Sequence, residues 1–319
     1  MGVLTAAGLP FLGRVWASAE ASSLRVIGAR MVLLADSDAA AAGEQLGAGR
    51  PLGGAPCVAL QLLGEGVVEK LAALVAHLEG AEGLPAGALR AAASPAGAAA
   101  LAKALLGPAA GRAPSARASC AKVAGAACVL VLPHALLGGS AGAILSDCTA
   151  ALAAGGGGGG GGSGGEGGLA VTALKILEFS RGQAEEFLEV YKDVVPEYVV
   201  RRGAAGRGAA RRRPFSPRSR PNALFSPPRP LQDLVNEYSS GPMIALEVSG
   251  EGAVETVRAI AGPRDVEVAR RVRPHTMRAK HGVAAAAGGP GARARLAVHT
   301  TDLAEDGPLE ADYVFNLVD

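Results

Sequence analysis

One pattern of sixteen residues occurs twice in this chain and constrains its fold more than any other feature. Pro56 to Leu71, PCVALQLLGEGVVEKL, aligns without a gap on Pro242 to Val257, PMIALEVSGEGAVETV, with Pro, Ala, Leu, Gly, Glu, Gly, Val and Glu in register. Each copy reads as an apolar strand, a Gly-Glu-Gly turn and an amphipathic helix whose early glutamate suits the positive end of the helix dipole. Two tandem copies of one domain are the economical reading. The first is drawn at 11–114 and the second at 126–319.

Within the first copy, the pattern predicts a helix over Val15–Ser22 and a strand over Leu24–Leu34. The second is predicted to run as a strand at Ala127–Leu132, a turn at Pro133–Gly139, a helix at Ala141–Ala153 and a strand at Ala170–Phe179. Helices follow at Ala184–Tyr191 and Leu231–Tyr238. Two low-complexity insertions interrupt this copy. The glycine tract at 155–168 reads as a flexible connector. The segment 201–230 is rich in Arg and Pro, with three arginines at Arg211–Arg213, and cannot bury enough surface to fold. It reads as a solvated insertion rather than a basic arm for RNA.

At 319 residues and 49% hydrophobic composition the chain can supply a core to each copy. Much of that fraction is alanine, and with 3% aromatic residues and 46 glycines the cores are expected to be small. A net charge of +2 argues against whole-chain electrostatic binding, so neither a nucleic acid nor a membrane surface is expected as partner. Cys57, Cys120, Cys128 and Cys148 have no CxxC spacing and no histidines at finger intervals, which points to free thiols in a reducing, cytoplasmic compartment. The N-terminus carries an Ala-Ser-Ala that looks like a cleavage site, but it lacks a basic lead, and Gly8, Pro10, Gly13 and Arg14 break its apolar run. The apolar stretch Ala126 to Ala154 is interrupted by Pro133, His134, Gly138, Gly139 and Asp147, which suits strand, turn and helix better than a membrane span.

Chemistry concentrates in Leu296 to Asp302, LAVHTTD, where an alternating run delivers His299 beside two threonines and an aspartate. A neutral imidazole there can act as nucleophile, base or ligand, with oxygen-bearing neighbours to orient a polar reactant. By itself, a histidine at a strand end is more commonly a satisfied rim residue.

The ordered blocks VLPHALLGGSAGAIL, FLEVYKDVVPEY, YSSGPMIALEV, VRAIAGPRD, RPHTMRAKHG and AVHTTD, followed by Glu310, resemble the nucleoside diphosphate kinases over about 126–319. The first copy is similar through GAPCVALQLLGEG and LPAGALR alone. The tandem layout is most similar to the two-domain branch of that family associated with ciliary axonemes. The resemblance implies an α+β fold of tandem ferredoxin-like domains, each a four-stranded antiparallel sheet with helices, the first copy degenerate. It implies ATP binding and transfer of a terminal phosphate through a phosphohistidine. His299 matches the nucleophile and Glu310 the carboxylate that orients it; Arg258, Arg278, Thr301 and Asp302 match nucleotide-phosphate-binding positions. Magnesium is implied as a companion of the nucleotide, with no metal site of the protein's own.

The departures are as informative. A phosphate-binding lysine of the family is replaced by Leu132, an asparagine by Leu296, a threonine by Arg264 and a tyrosine by Leu188. Removing a preorganised donor costs on the order of 10²–10³ in rate. In the first copy no histidine matches the nucleophile, and Ala72 stands where the second copy has Arg258. The expectation is an impaired site in a structural component of ciliary axonemal microtubules, with tubulin or other axonemal proteins as partners. The alternative is a weak kinase acting on nucleoside tri- and diphosphates through phospho-His299.

Overall fold

The computed structural model describes residues 1–46, 52, 54–107, 120–155, 168–191, 229–284 and 294–318. Most of the glycine tract, the Arg- and Pro-rich segment up to residue 228 and the expected end of the first copy at 114 lie outside the described residues. The elements run β1 (Gly2–Leu4), α1 (Leu12–Ala21), β2 (Arg25–Val32), α2 (Asp36–Gln45), β3 (Cys57–Leu63), α3 (Val67–Ala81), β4 (Leu89–Ala91) and α4 (Pro95–Leu105). The second copy runs β5 (Ala126–Val131), α5 (Pro133–Leu137), α6 (Ala141–Gly155), β6 (Ala170–Glu178), α7 (Arg181–Phe187), α8 (Arg229–Tyr238) and β7 (Pro242–Ser249). It ends with α9 (Ala253–Ala261), α10 (Val266–Val272), α11 (Met277–His281), β8 (Val298–Thr300) and α12 (Asp306–Asp312).

The fold is α+β, and its strand order is that of the ferredoxin-like sheet written twice. The order β4-β1-β3-β2-β6-β7-β5-β8 is two antiparallel four-stranded sheets joined edge to edge through β2 and β6. The strand Gly2–Leu4 lies ahead of the 11–114 range drawn from sequence. Three residues carry too little alternation to announce a strand. The expected turn at Pro133–Gly139 is the short helix α5, with proline at its first position, where the missing N–H costs nothing.

The repeated Gly-Glu-Gly turn is the same device in both copies. Gly66 (φ 62°) and Gly252 (φ 69°) stand at the N-caps of α3 and α9 in the left-handed region, which a side chain resists. The cap carbonyls are taken by Lys70 N at 2.9 Å and Thr256 N at 3.0 Å.

Following the register across all eight strands gives one row of residues on one face: Arg90, Val3, Ala59, Arg30, Lys175, Ala245, Leu130, His299. The repeat aligns Ala59 with Ala245, so the row is its own mirror in position. Arg30 corresponds to Lys175, Val3 to Leu130 and Arg90 to His299. A pseudo-two-fold axis therefore passes between Arg30 and Lys175. Like charges opposed across strands repel; here the Lys175 ammonium donates to the carbonyl of Val318.

The same axis relates α1 to α6. Gly13 and Gly142 are each the second residue of their helix, and a Cβ on either would strike the other helix's backbone. From Gly13 it would lie 2.1 Å from Ser146 N, and from Gly142 2.5 Å from Ala17 N. Each glycine thus faces the residue four places beyond its counterpart, and the helices touch through their backbones.

One core runs through both copies on one face of the sheet. Leu12, Trp16, Leu60 and Leu74 of the first copy join Val129, Ile144, Leu246 and Val257 of the second. On the opposite side of the first copy, Leu46, Leu101 and Leu105 from the α2 and α4 regions cover Val3, Cys57 and Ala59. The compact unit containing all this is Met1–Glu178 with Pro242–Asp319; a second unit is Phe179–Gly241. In the latter, Ser180 and Gln183 form a capping box on α7, and the rings of Phe179 and Tyr238 lie 5.4 and 6.1 Å from that of Phe187.

The stretch 120–125 enters the second copy across a buried carboxylate. Glu247 accepts hydrogen bonds from Lys122 N at 2.7 Å and Val123 N at 3.1 Å, and from the hydroxyls of Thr172 and Ser249. Val123 sits at φ 61°, an unfavourable backbone for a β-branched residue. Among the described residues no helix is long and apolar enough to cross a membrane.

Candidate functional site

His299 sits in the middle of β8, which pairs with β5 at the edge of the sheet among the described residues, and Leu130 is directly opposite. Because alternate residues share a face, Leu130 and Leu132 lie on the same side as the imidazole. His299 is 1% exposed and Leu132 fully buried, so the nearest continuation of the β5 face is hydrocarbon.

Glu310, on α12 and 3% exposed, approaches the ring with Oε2 at 3.4 Å from Nε2. Its position is fixed by Thr301, whose hydroxyl donates to the same carboxylate oxygen at 2.6 Å while accepting from Cys128 N at 2.8 Å. Backbone amide, hydroxyl, carboxylate and imidazole thus form one relay. A carboxylate facing Nε2 favours the tautomer with the proton there, which leaves the lone pair on Nδ1.

The expected phosphate-binding arginines are differently disposed. Arg278 is 3% exposed and turned inward: Nε donates to Val298 O at 3.2 Å, Nη1 to Gly262 O at 2.7 Å and Nη2 to Thr300 Oγ1 at 3.2 Å. It holds the residues on both sides of His299. Arg258 is exposed on α9, whose inner face is Val254 and Val257. Asp302 accepts from Arg264 Nη1 at 2.8 Å, tying the loop after α9 to the loop after β8. Leu296 is buried just before β8, and Leu188 is buried at the end of α7, in the second unit.

Several carboxylates gather around Asp306. Burial raises the Asp306 carboxyl above its ordinary range, and the nearby charges of Glu310, Glu305 and Asp302 push it further. The Cys128 thiol is likewise raised, chiefly by burial and then by Glu310 and Glu247, so it stays protonated at neutral pH. A cavity of about 680 Å³ opens elsewhere, between α6, α9 and the approach to α11; Asp147, Thr256, His275 and Lys280 are among the residues around it, and His299 is not.

In the first copy, the corresponding place holds none of this apparatus. The equivalence of Arg90 with His299 is matched by paired backbone bonds: Ala92 N to Met1 O at 2.9 Å against Thr301 N to Cys128 O at 3.0 Å, and Thr5 N to Ala88 O at 2.8 Å against Leu132 N to Ala297 O at 3.0 Å. Arg90 therefore replaces the histidine, Ala92 the threonine and Thr5 the leucine. Arg90 Nε donates to Gly87 O at 3.2 Å. The sequence could have shown this substitution only with β1 and β4 in register, and both are three residues long.

A family model described as nucleoside diphosphate kinase matches residues 229–319. The chain is 30% identical over 202 residues to nucleoside diphosphate kinase homolog 7 of Rattus norvegicus, covering 63% of this chain and 37% of that protein. The Mus musculus homolog 7 matches with the same identity and coverage. The chain thus spans little more than a third of the length of these relatives. It is 29% identical over 149 residues to the nucleoside diphosphate kinase of Aquifex aeolicus, covering 47% of this chain and 75% of that one. The orthorhombic crystal structure of the Aquifex enzyme aligns with a TM-score of 0.39 and 25% identity, over 60% of this chain and 94% of that chain. Residues 229–319 are thus similar to the nucleoside diphosphate kinase family, and in sequence the chain resembles homolog 7 of that family.

Proposed function

We propose that the chain is a structural block of ciliary axonemal microtubules, built from two kinase-like copies, with an impaired nucleotide site at His299 and tubulin or other axonemal proteins as partners. The observation that carries this reading is the burial of His299 at 1% exposure beside the fully buried Leu132. Phosphoryl transfer needs in-line access to the nucleophile and cations around the phosphate oxygens. Here the imidazole is closed off, a hydrocarbon stands on its sheet face, and Arg278 is engaged inward. The first copy has Arg90 at the nucleophile position and an apolar cluster on the same face of the sheet. A tagged chain in ciliated cells is expected along the axoneme; a purely diffuse cytosolic signal sinks this reading.

The intact relay Cys128, Thr301, Glu310, His299 favours a second reading, slow transfer through phospho-His299. In that step the bond from the terminal phosphorus to the diphosphate breaks as the ring nitrogen bonds to phosphorus, and the phosphoryl group then passes to an acceptor diphosphate. Magnesium is proposed to arrive with the nucleotide, bound to its phosphates. Incubation with γ-labelled ATP is expected to give acid-labile, base-stable label, absent in His299→Ala. With the lysine replaced, its rate is expected to be at least about 10²-fold below that of the Aquifex relative assayed alongside. Label that persists in His299→Ala removes this reading.

A further inference from the structure

The charge balance around His299 singles out one ion pair. Glu310, Glu305 and Asp302 each act on the Asp306 carboxyl, so negative charge gathers on the side from which a phosphate would approach. Of the arginines near β8, Arg278 is buried with Nε, Nη1 and Nη2 all donating to protein acceptors. Arg264 differs in kind. Its side chain is 19% exposed, and Nη1 donates at 2.8 Å to Asp302, itself 25% exposed and three residues beyond His299. The pair is partly solvated, and a guanidinium that donates to a carboxylate can donate to a phosphate oxygen in the same way.

We propose that Arg264, which holds Asp302, is a phosphate-binding residue of the His299 site, and that a nucleoside polyphosphate binds by displacing the Asp302 carboxylate from the guanidinium. This rests on the second reading above, in which the site accepts a nucleotide. Asp302 then acts as a competitor of the phosphate rather than as one of its ligands. Exchange keeps Arg264 paired throughout, so the charge that Leu132 lacks is supplied from the loop after α9.

The test is binding of the fluorescent diphosphate mant-ADP, with magnesium at low salt, to the complete chain and to Asp302→Asn, Arg264→Ala and the double variant. Asp302→Asn removes the competitor and is expected to tighten binding about tenfold. Arg264→Ala is expected to weaken it about tenfold or more, and the double variant to bind as weakly as Arg264→Ala. Tightening is a gain that misfolding does not produce, which keeps the idea falsifiable if Arg264→Ala is unstable. Wild-type binding unchanged by either substitution overturns the role of Arg264 and leaves the nucleotide reading standing. Weaker binding by Asp302→Asn overturns the competition. No binding by any of the four proteins removes the nucleotide reading and this inference with it.

Discussion

Gly142→Ala is expected to destabilise the chain by about 2 kcal/mol or more, although alanine in a helix interior ordinarily gains up to about 1 kcal/mol over glycine. Packing outweighs propensity here. The new methyl would lie 2.5 Å from Ala17 N and 2.7 Å from its Cα, and backbone in the facing helix has no rotamer to yield. Gly13→Ala meets Ser146 N at 2.1 Å and is expected to cost as much. The double variant should cost less than the sum, because helices already forced apart leave room for the second methyl. Gly80→Ala is the control: its Cβ meets nothing within 4 Å, so propensity alone acts and a small gain is expected. Urea unfolding of the four proteins measures this. Stabilisation by Gly142→Ala equal to that by Gly80→Ala would show that α1 and α6 do not meet through their backbones.

Glu247→Ala is expected to cost about 3 kcal/mol or more. The carboxylate accepts from two backbone amides and two hydroxyls, with no solvent to replace it. Thr172 and Ser249 can still bond each other at 2.9 Å, but Lys122 N and Val123 N lose their acceptor. Val123, no longer held at φ 61°, is then free to relax, and residues 120–125 detach from the sheet. Glu247→Gln keeps one oxygen and is expected to fall between the two. Hydrogen exchange at the amides of Lys122 and Val123 reads the effect locally and should accelerate in Glu247→Ala. Unchanged protection there, with unchanged unfolding, would mean that the strap is held by something else.

Much of the fold was legible because its signals are local. The repeated strand, turn and helix at Pro56–Leu71 and Pro242–Val257 appear as β3–α3 and β7–α9, with the second glycine of each turn at a helix N-cap. Leu24–Leu34, Ala127–Leu132 and Ala170–Phe179 appear as β2, β5 and β6. The short strands β1 and β4 escaped, since three residues cannot display a period. His299, Thr301 and Glu310 could be singled out by type and order, and they do meet. The inward turn of Arg278 could not be foreseen, because its acceptors Gly262, Val298 and Thr300 are brought to it only by β8 and the loop after α9.

By itself, the sequence determined that there are two copies, which segments alternate, and which residue types gather near His299, all properties of neighbours along the chain. Only the tertiary structure decided that β2 pairs with β6, that Arg90 stands where His299 does, that Gly13 and Gly142 meet opposing backbones, and that Asp302 holds Arg264. The physical reason is that alternation assigns a residue to a face but not to a partner strand. Register, and with it which charges and hydrocarbons surround an imidazole, is set by long-range pairing and burial.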